Sequence, residues 1–146
     1  MLVARSWLAP VGRAVLLAGL LGGTGAAADE TVTEARLQGA WSIDAGICAQ
    51  VFTFKDGKPR FLKEDGIIDS GFIVDGKTVR GLMETCRVVG SRAASQSGRT
   101  LTLSCASSVS ELSRRETARL ADDNTLVVVD PAMPDIPITY YRCSPP

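Results

Sequence analysis

The sequence predicts an all-β fold, a small antiparallel up-and-down barrel of about eight strands with a short N-terminal helix and two disulfides. Three observations carry this reading. Asp-Gly dipeptides at 56–57, 65–66 and 75–76 are strong short-range hairpin signals, and Asp123-Asn124 is a weaker fourth. The segments between these turns are short and rich in β-branched and aromatic residues, and several alternate apolar and polar side chains. Four cysteines, Cys48, Cys86, Cys105 and Cys143, lie far apart in a chain of 146 residues that has no histidine. That pattern reads as two disulfides rather than a metal site, which needs close Cys-x-x-Cys pairs or imidazoles.

Residues 1–28 read as a signal peptide. Arg5 and Arg13 form a basic start, 14–22 is a short apolar run, and Ala26 and Ala28 make the A-x-A pattern, so cleavage is expected before Asp29. The run is shorter than the roughly 20 residues of a membrane span, so no stable membrane anchor is expected. The chain is then periplasmic or secreted. Residues 29–39 form an arm with a short helix over 31–39, where Thr31 and Glu34 fit a capping box and Gly39 a helix stop. Residues 40–146 are the barrel domain. Strands are expected at 40–44, 50–55, 59–64, 67–74, 77–89, 99–107, 112–121, 125–130 and 138–143. Leu101, Leu103 and Cys105 share one face of their strand, with Thr100, Thr102 and Ser104 on the other, and Ile138 and Tyr140 share a face of the last one. Residues 91–98 are a polar loop, and the prolines within 131–137 make a second loop. Closing the meander removes exposed strand edges; a two-sheet sandwich has the same periodicity.

A hairpin centred near Ser95 sets Cys86 opposite Cys105, and barrel closure brings Cys48 and Cys143 close, because they lie near the first and last strands. That pairing is preferred. Cys48–Cys86 with Cys105–Cys143 is the second choice, and spacing alone leaves three connectivities.

All 16 acidic residues lie after residue 28, with 14 of the 16 basic ones, so residues 29–146 carry a net charge of −2. This is no nucleic-acid signature. The charge is uneven: 77–119 holds eight bases and three acids, which reads as a solvated mixed surface or as a basic face for an acidic partner. No cofactor is expected and no catalytic residue stands out. Without histidine there is no Ser-His or Cys-His pair. The string GFIVDGKT from Gly71 matches the phosphate-loop pattern but lacks the following helix, and Asp75-Gly76 within it reads as a hairpin turn. Most of the carboxylates sit at turns; Glu84 lies in a strand beside Arg80, and its expected partner is Arg80 on a solvated face. The aromatic residues after residue 28 are Trp41, Phe52, Phe54, Phe61, Phe72, Tyr140 and Tyr141. With strands this short, a packed interior takes most of these rings, so the barrel is expected to be filled, with a cavity for one small ligand as the alternative.

Leu37, Gly39 and Trp41 opening the first strand after a short helix, followed by Cys48, resemble the start of the calycin barrels. That group includes lipocalins, avidins and the bacterial inhibitors of secreted alkaline metalloproteases, and this chain is nearest the inhibitors in size and opening. The resemblance implies that Trp41 packs at the closed end of a barrel with a basic residue of the last strand, Arg142, across it. It also implies that the arm 29–35 enters a protease cleft. The expected function is therefore non-enzymatic binding outside the cytoplasm, with a secreted or periplasmic protein as partner and inhibition of a secreted hydrolase as its concrete form. A lipid or metabolite carrier with a barrel cavity is the alternative.

Overall fold

The computed structural model describes residues 34–62 and 70–145. The expected signal peptide, its cleavage point and the Asp65-Gly66 turn lie outside them. Within them, eight antiparallel strands close a barrel and two more form a hairpin outside its wall. The barrel strands are β1 (Gly39–Ser42), β4 (Gly71–Asp75), β5 (Thr78–Arg80), β6 (Glu84–Ala93), β7 (Arg99–Ser107), β8 (Glu111–Asp122), β9 (Thr125–Val129) and β10 (Ile138–Cys143). From β4 to β10 each pairs with the next in sequence, and β1 closes the ring between β10 and β4.

Turn chemistry accounts for the meander. In the outer hairpin of β2 (Phe52–Lys55) and β3 (Lys58–Phe61), Asp56 and Gly57 sit at the tip with φ of 52° and 74°, the paired left-handed conformation of a tight hairpin. Asp75 pairs with Thr78, so the phosphate-loop lookalike is a hairpin with Gly76 at its tip. Asp123-Asn124 caps β8 and β9, where the Asp122 carboxylate accepts the Asn124 N–H at 2.8 Å. That hydrogen bond holds the Asp122 carboxyl below its usual range.

Three expectations need correction. The strand read over 77–89 is two strands, broken at 81–83, where the chain turns from β5 into β6. The helix expected over 31–39 is a single 3₁₀ turn at Glu34–Leu37 within the described residues. The strand expected at 50–55 is preceded by one helical turn, α1 (Cys48–Val51). Together with β2 and β3, this turn packs on the outside of the barrel rather than joining it.

Two apolar clusters result. One fills the closed part of the barrel around Trp41, Leu37, Leu103 and Leu126. The other lies between the hairpin and the outer faces of β1, β4 and β10, and joins Ala40, Val51, Phe52, Ile73 and Cys143. The disulfide Cys48–Cys143 staples this outer layer to the last strand, and Cys86–Cys105 bridges β6 and β7 at directly opposed positions. Gly71 lets the layers meet: a Cβ there would collide with the Trp41 carbonyl oxygen and come within 3.0 Å of the Phe52 ring.

Candidate ligand-binding cavity

One end of the barrel is plugged. Trp41 faces inward and is fully buried, with its indole N–H donating to Leu37 O at 2.8 Å. Burying an indole of roughly 150–250 Å² contributes at most about 4–6 kcal/mol by area. The Arg142 guanidinium lies over the ring, 4.2 Å from its centroid. It donates from Nη1 to Gln38 O and from Nη2 to Arg36 O, both at 2.6 Å, and from Nε to Asp123 O at 2.8 Å. These bonds fasten the 3₁₀ turn across the barrel bottom. Burial lowers the Arg142 pKa, with Arg36 adding to the fall and Asp123 opposing it. Gly39 has φ +116°, and a Cβ there would lie 3.3 Å from Arg142 Nη1, so glycine suits both the backbone and the passage of the arginine. Gln38 clamps the β4–β5 turn through both ends of its amide, Nε2 to Gly76 O at 3.2 Å and Gly76 N to Oε1 at 2.7 Å. Gly39, Trp41 and Arg142 are thus brought together in one assembly. Of the arm 29–35, residues 29–33 lie outside the described residues, and Ala35 is already part of the plugging turn.

Above Trp41 the barrel is not filled. A cavity of about 540 Å³ runs to the opposite end. Its wall is apolar, with Phe72, Val79, Val88, Leu101, Leu103 and Val128 among the lining residues, and the Tyr140 ring meets Phe72 edge-on with centroids 4.9 Å apart. The alternation read for β7 and β10 places Leu101, Leu103 and Tyr140 here, and the Cys86–Cys105 bridge lies in the same wall. The filled interior expected from the ring count fails for a topological reason. Phe52, Phe54 and Phe61 are drawn into the outer hairpin layer, which leaves Trp41, Phe72 and Tyr140 for the inside.

The cavity mouth carries charge. Arg114 Nη2 lies 2.6 Å from Glu84 Oε1, and Arg114 Nε lies 2.8 Å from Glu116 Oε1. The Nε contact is an ion pair at an angle that makes no hydrogen bond. Asp130 joins them in the lining. Burial works against the Arg114 charge, but the hydrogen bond Arg114 donates to Glu84 and the two carboxylate charges outweigh it and raise its pKa. Glu116 goes the other way for its type: burial lifts its carboxyl above the ordinary value, the Arg114 charge pulls it down, and Glu84 and Asp130 push it up again. The expected Glu84–Arg80 pair on a solvated face is therefore corrected. Glu84 starts β6 facing inward and meets Arg114 of β8, while Arg80 ends β5 exposed. Sequence parity holds the missing signal. Glu84 shares it with Cys86 and Val88, and Arg114 and Glu116 share it with Ala118, all of which line the cavity.

Apolar side chains ring the same mouth. Of the ten large apolar side chains exposed among the described residues, seven lie on the connections and strand ends at this end. Ile43, Met83, Met133, Ile136 and Ile138 border the opening, and Val109 is 90% exposed on the β7–β8 turn beyond it. A second space of about 650 Å³, between the hairpin and β4–β5, is an open groove lined by Lys58, Arg60 and Arg80 among others. It has no enclosed apolar wall comparable to the barrel cavity. No helix of the described residues is long and apolar enough to cross a membrane, and two disulfides suit an oxidising compartment. No family model, curated protein or solved structure matches the chain.

Proposed function

We propose that the protein is an exported binding protein that holds one small amphiphilic molecule inside the barrel. The observation that carries this reading is the apolar cavity of about 540 Å³, floored by Leu37 and Gln38, whose carbonyls Trp41 and Arg142 hold, and open at the other end. It lies within the size range of small-molecule sites, which combine apolar walls with a few placed polar groups. Water gains little from so apolar a space, so an apolar tail that enters exchanges unfavourable hydration for dispersion contacts along the wall. The exposed rim offers a path on which such a tail stays partly out of water as it enters. Binding here asks for no chemistry, and the role is non-enzymatic.

The test is titration with the neutral fluorescent probe N-phenyl-1-naphthylamine. Its emission should rise on binding the wild-type protein and be displaced by decanol. Ala118→Trp places an indole in the cavity wall and should weaken probe binding at least tenfold while keeping the native circular dichroism spectrum. Equal probe binding by a folded Ala118→Trp protein would place the probe elsewhere and overturn the proposal.

A further inference from the structure

The cavity wall is apolar, but its charged groups are not balanced. Among the described residues lining it, three are carboxylates, Glu84, Glu116 and Asp130, and one is a cation, Arg114. Arg114 is held by Glu84 at 2.6 Å and Glu116 at 2.8 Å, so its charge is already met from within the wall. An anionic ligand approaching the guanidinium would meet two carboxylates already on Nη2 and Nε, with Asp130 also in the lining. With Glu116 ionised the four groups sum to −2, and with it protonated to −1, so the sign is the same in either state. These groups come from β6, β8 and the residue just after β9, all at the open end of the ring. The deep wall carries no charged side chain between them and Trp41. The space is therefore polarised along its axis, apolar below and acidic at the mouth.

We propose that the ligand is a cationic amphiphile, with its hydrocarbon part in the barrel and a protonated amine at the mouth among Glu84, Glu116 and Asp130. This rests on the reading of the cavity as a ligand site. In a partly dehydrated mouth an ammonium gains more from nearby carboxylates than it would in water, and its donors satisfy oxygens that Arg114 does not reach. An alcohol of the same length gains only the hydrocarbon term. A carboxylate of the same length meets repulsion.

The experiment displaces N-phenyl-1-naphthylamine with decylamine, decanol and decanoate at pH 7, each below its micelle-forming concentration. Decylamine should compete at least tenfold more tightly than decanol, and decanoate more weakly than decanol. In the Glu84→Gln/Asp130→Asn double variant the mouth sums to zero with Glu116 ionised and to +1 with it protonated, so no net negative charge remains. There the advantage of the amine should fall to about twofold or less, with the native circular dichroism spectrum retained as evidence of an intact barrel. If decanol displaces the probe and decylamine is no better, the inference is wrong and the cavity still binds. Tighter binding of decanoate would overturn it in favour of Arg114 as the anchor. If neither probe nor decanol binds, the cavity reading itself falls, and this inference with it.

Discussion

Replacing Arg142 by methionine keeps an unbranched stem over the Trp41 ring and removes the guanidinium. Two of the lost hydrogen bonds, to Gln38 O and Arg36 O at 2.6 Å, are partly buried. Bonds from a charged donor contribute about 1.5–3 kcal/mol each. The third, to Asp123 O, is exposed, and water replaces it at little cost. Stacking of the guanidinium on the indole adds about 0.5–1 kcal/mol. Against these stands the desolvation that already lowers the Arg142 pKa and that methionine does not suffer. The net loss is about 3 kcal/mol, a large part of the 5–15 kcal/mol typical of a domain. The assay is urea unfolding followed by the emission of Trp41, the single tryptophan of residues 29–146. With a slope of about 1.5 kcal/mol/M, the midpoint should fall by about 2 M. Arg87→Met, at an exposed position on β6, serves as control and should stay within about 0.5 kcal/mol of wild type. A loss below about 1 kcal/mol for Arg142→Met would refute the account of the closed end.

Three further predictions follow from the packing and the charges. Gly71→Ala forces a methyl against the Trp41 carbonyl and the Phe52 ring, and thermal unfolding should show a loss of about 1–3 kcal/mol, as overpacking does. The two disulfides close segments with sequence separations of 95 and 19. Loop entropy then makes the Cys48→Ala/Cys143→Ala protein about 1.4 kcal/mol less stable than the Cys86→Ala/Cys105→Ala protein in urea unfolding. For Glu116 the pKa is raised from its ordinary 4.5, so the folded chain holds this proton more tightly than the unfolded one. Stability from this group is present at low pH and is lost as pH rises from about 4.5 through the raised value. The stability of Glu116→Gln relative to wild type should therefore increase between pH 4.5 and pH 8 in paired urea titrations, and a constant difference would contradict the sign.

Much of the barrel was legible in local chemistry. Asp56-Gly57 supplies the two left-handed residues a tight hairpin needs, and Asp122 to Thr125 carries its own side-chain cap. The alternation of Leu101, Leu103 and Cys105 is a direct consequence of one strand face being buried, and the hairpin centred near Ser95 set Cys86 opposite Cys105. The closed end was legible in part, because Gly39, Trp41 and Arg142 stand at the first and last strands, which neighbour each other only once the ring closes.

The cavity was not legible, for two reasons. Periodicity reports which residues share a face but not which strands belong to which layer. Phe52, Phe54 and Phe61 alternate as plausibly for a barrel wall as for the outer hairpin they form, so the number of rings available to the interior was overestimated. Charges in strands ordinarily face solvent, but Glu84 of β6 faces inward beside Arg114 of β8, 30 residues on in sequence, while Arg114 and Glu116 lie two apart on one face of β8. The Glu84–Arg114 contact is non-local, so it shows only once β6 and β8 are placed on either side of β7.

The central claim is that a small molecule enters the barrel from the open end and rests above Trp41. Its most direct test is methyl NMR of the selectively labelled protein titrated with decanol. The account predicts concentration-dependent shifts for the inward methyls of Val88, Leu103 and Val128, with Val89 and Val127 on the outer face unmoved. Shifts confined to Val89, Val127 or the β7–β8 turn at Val109, with the inward methyls unchanged, would contradict it.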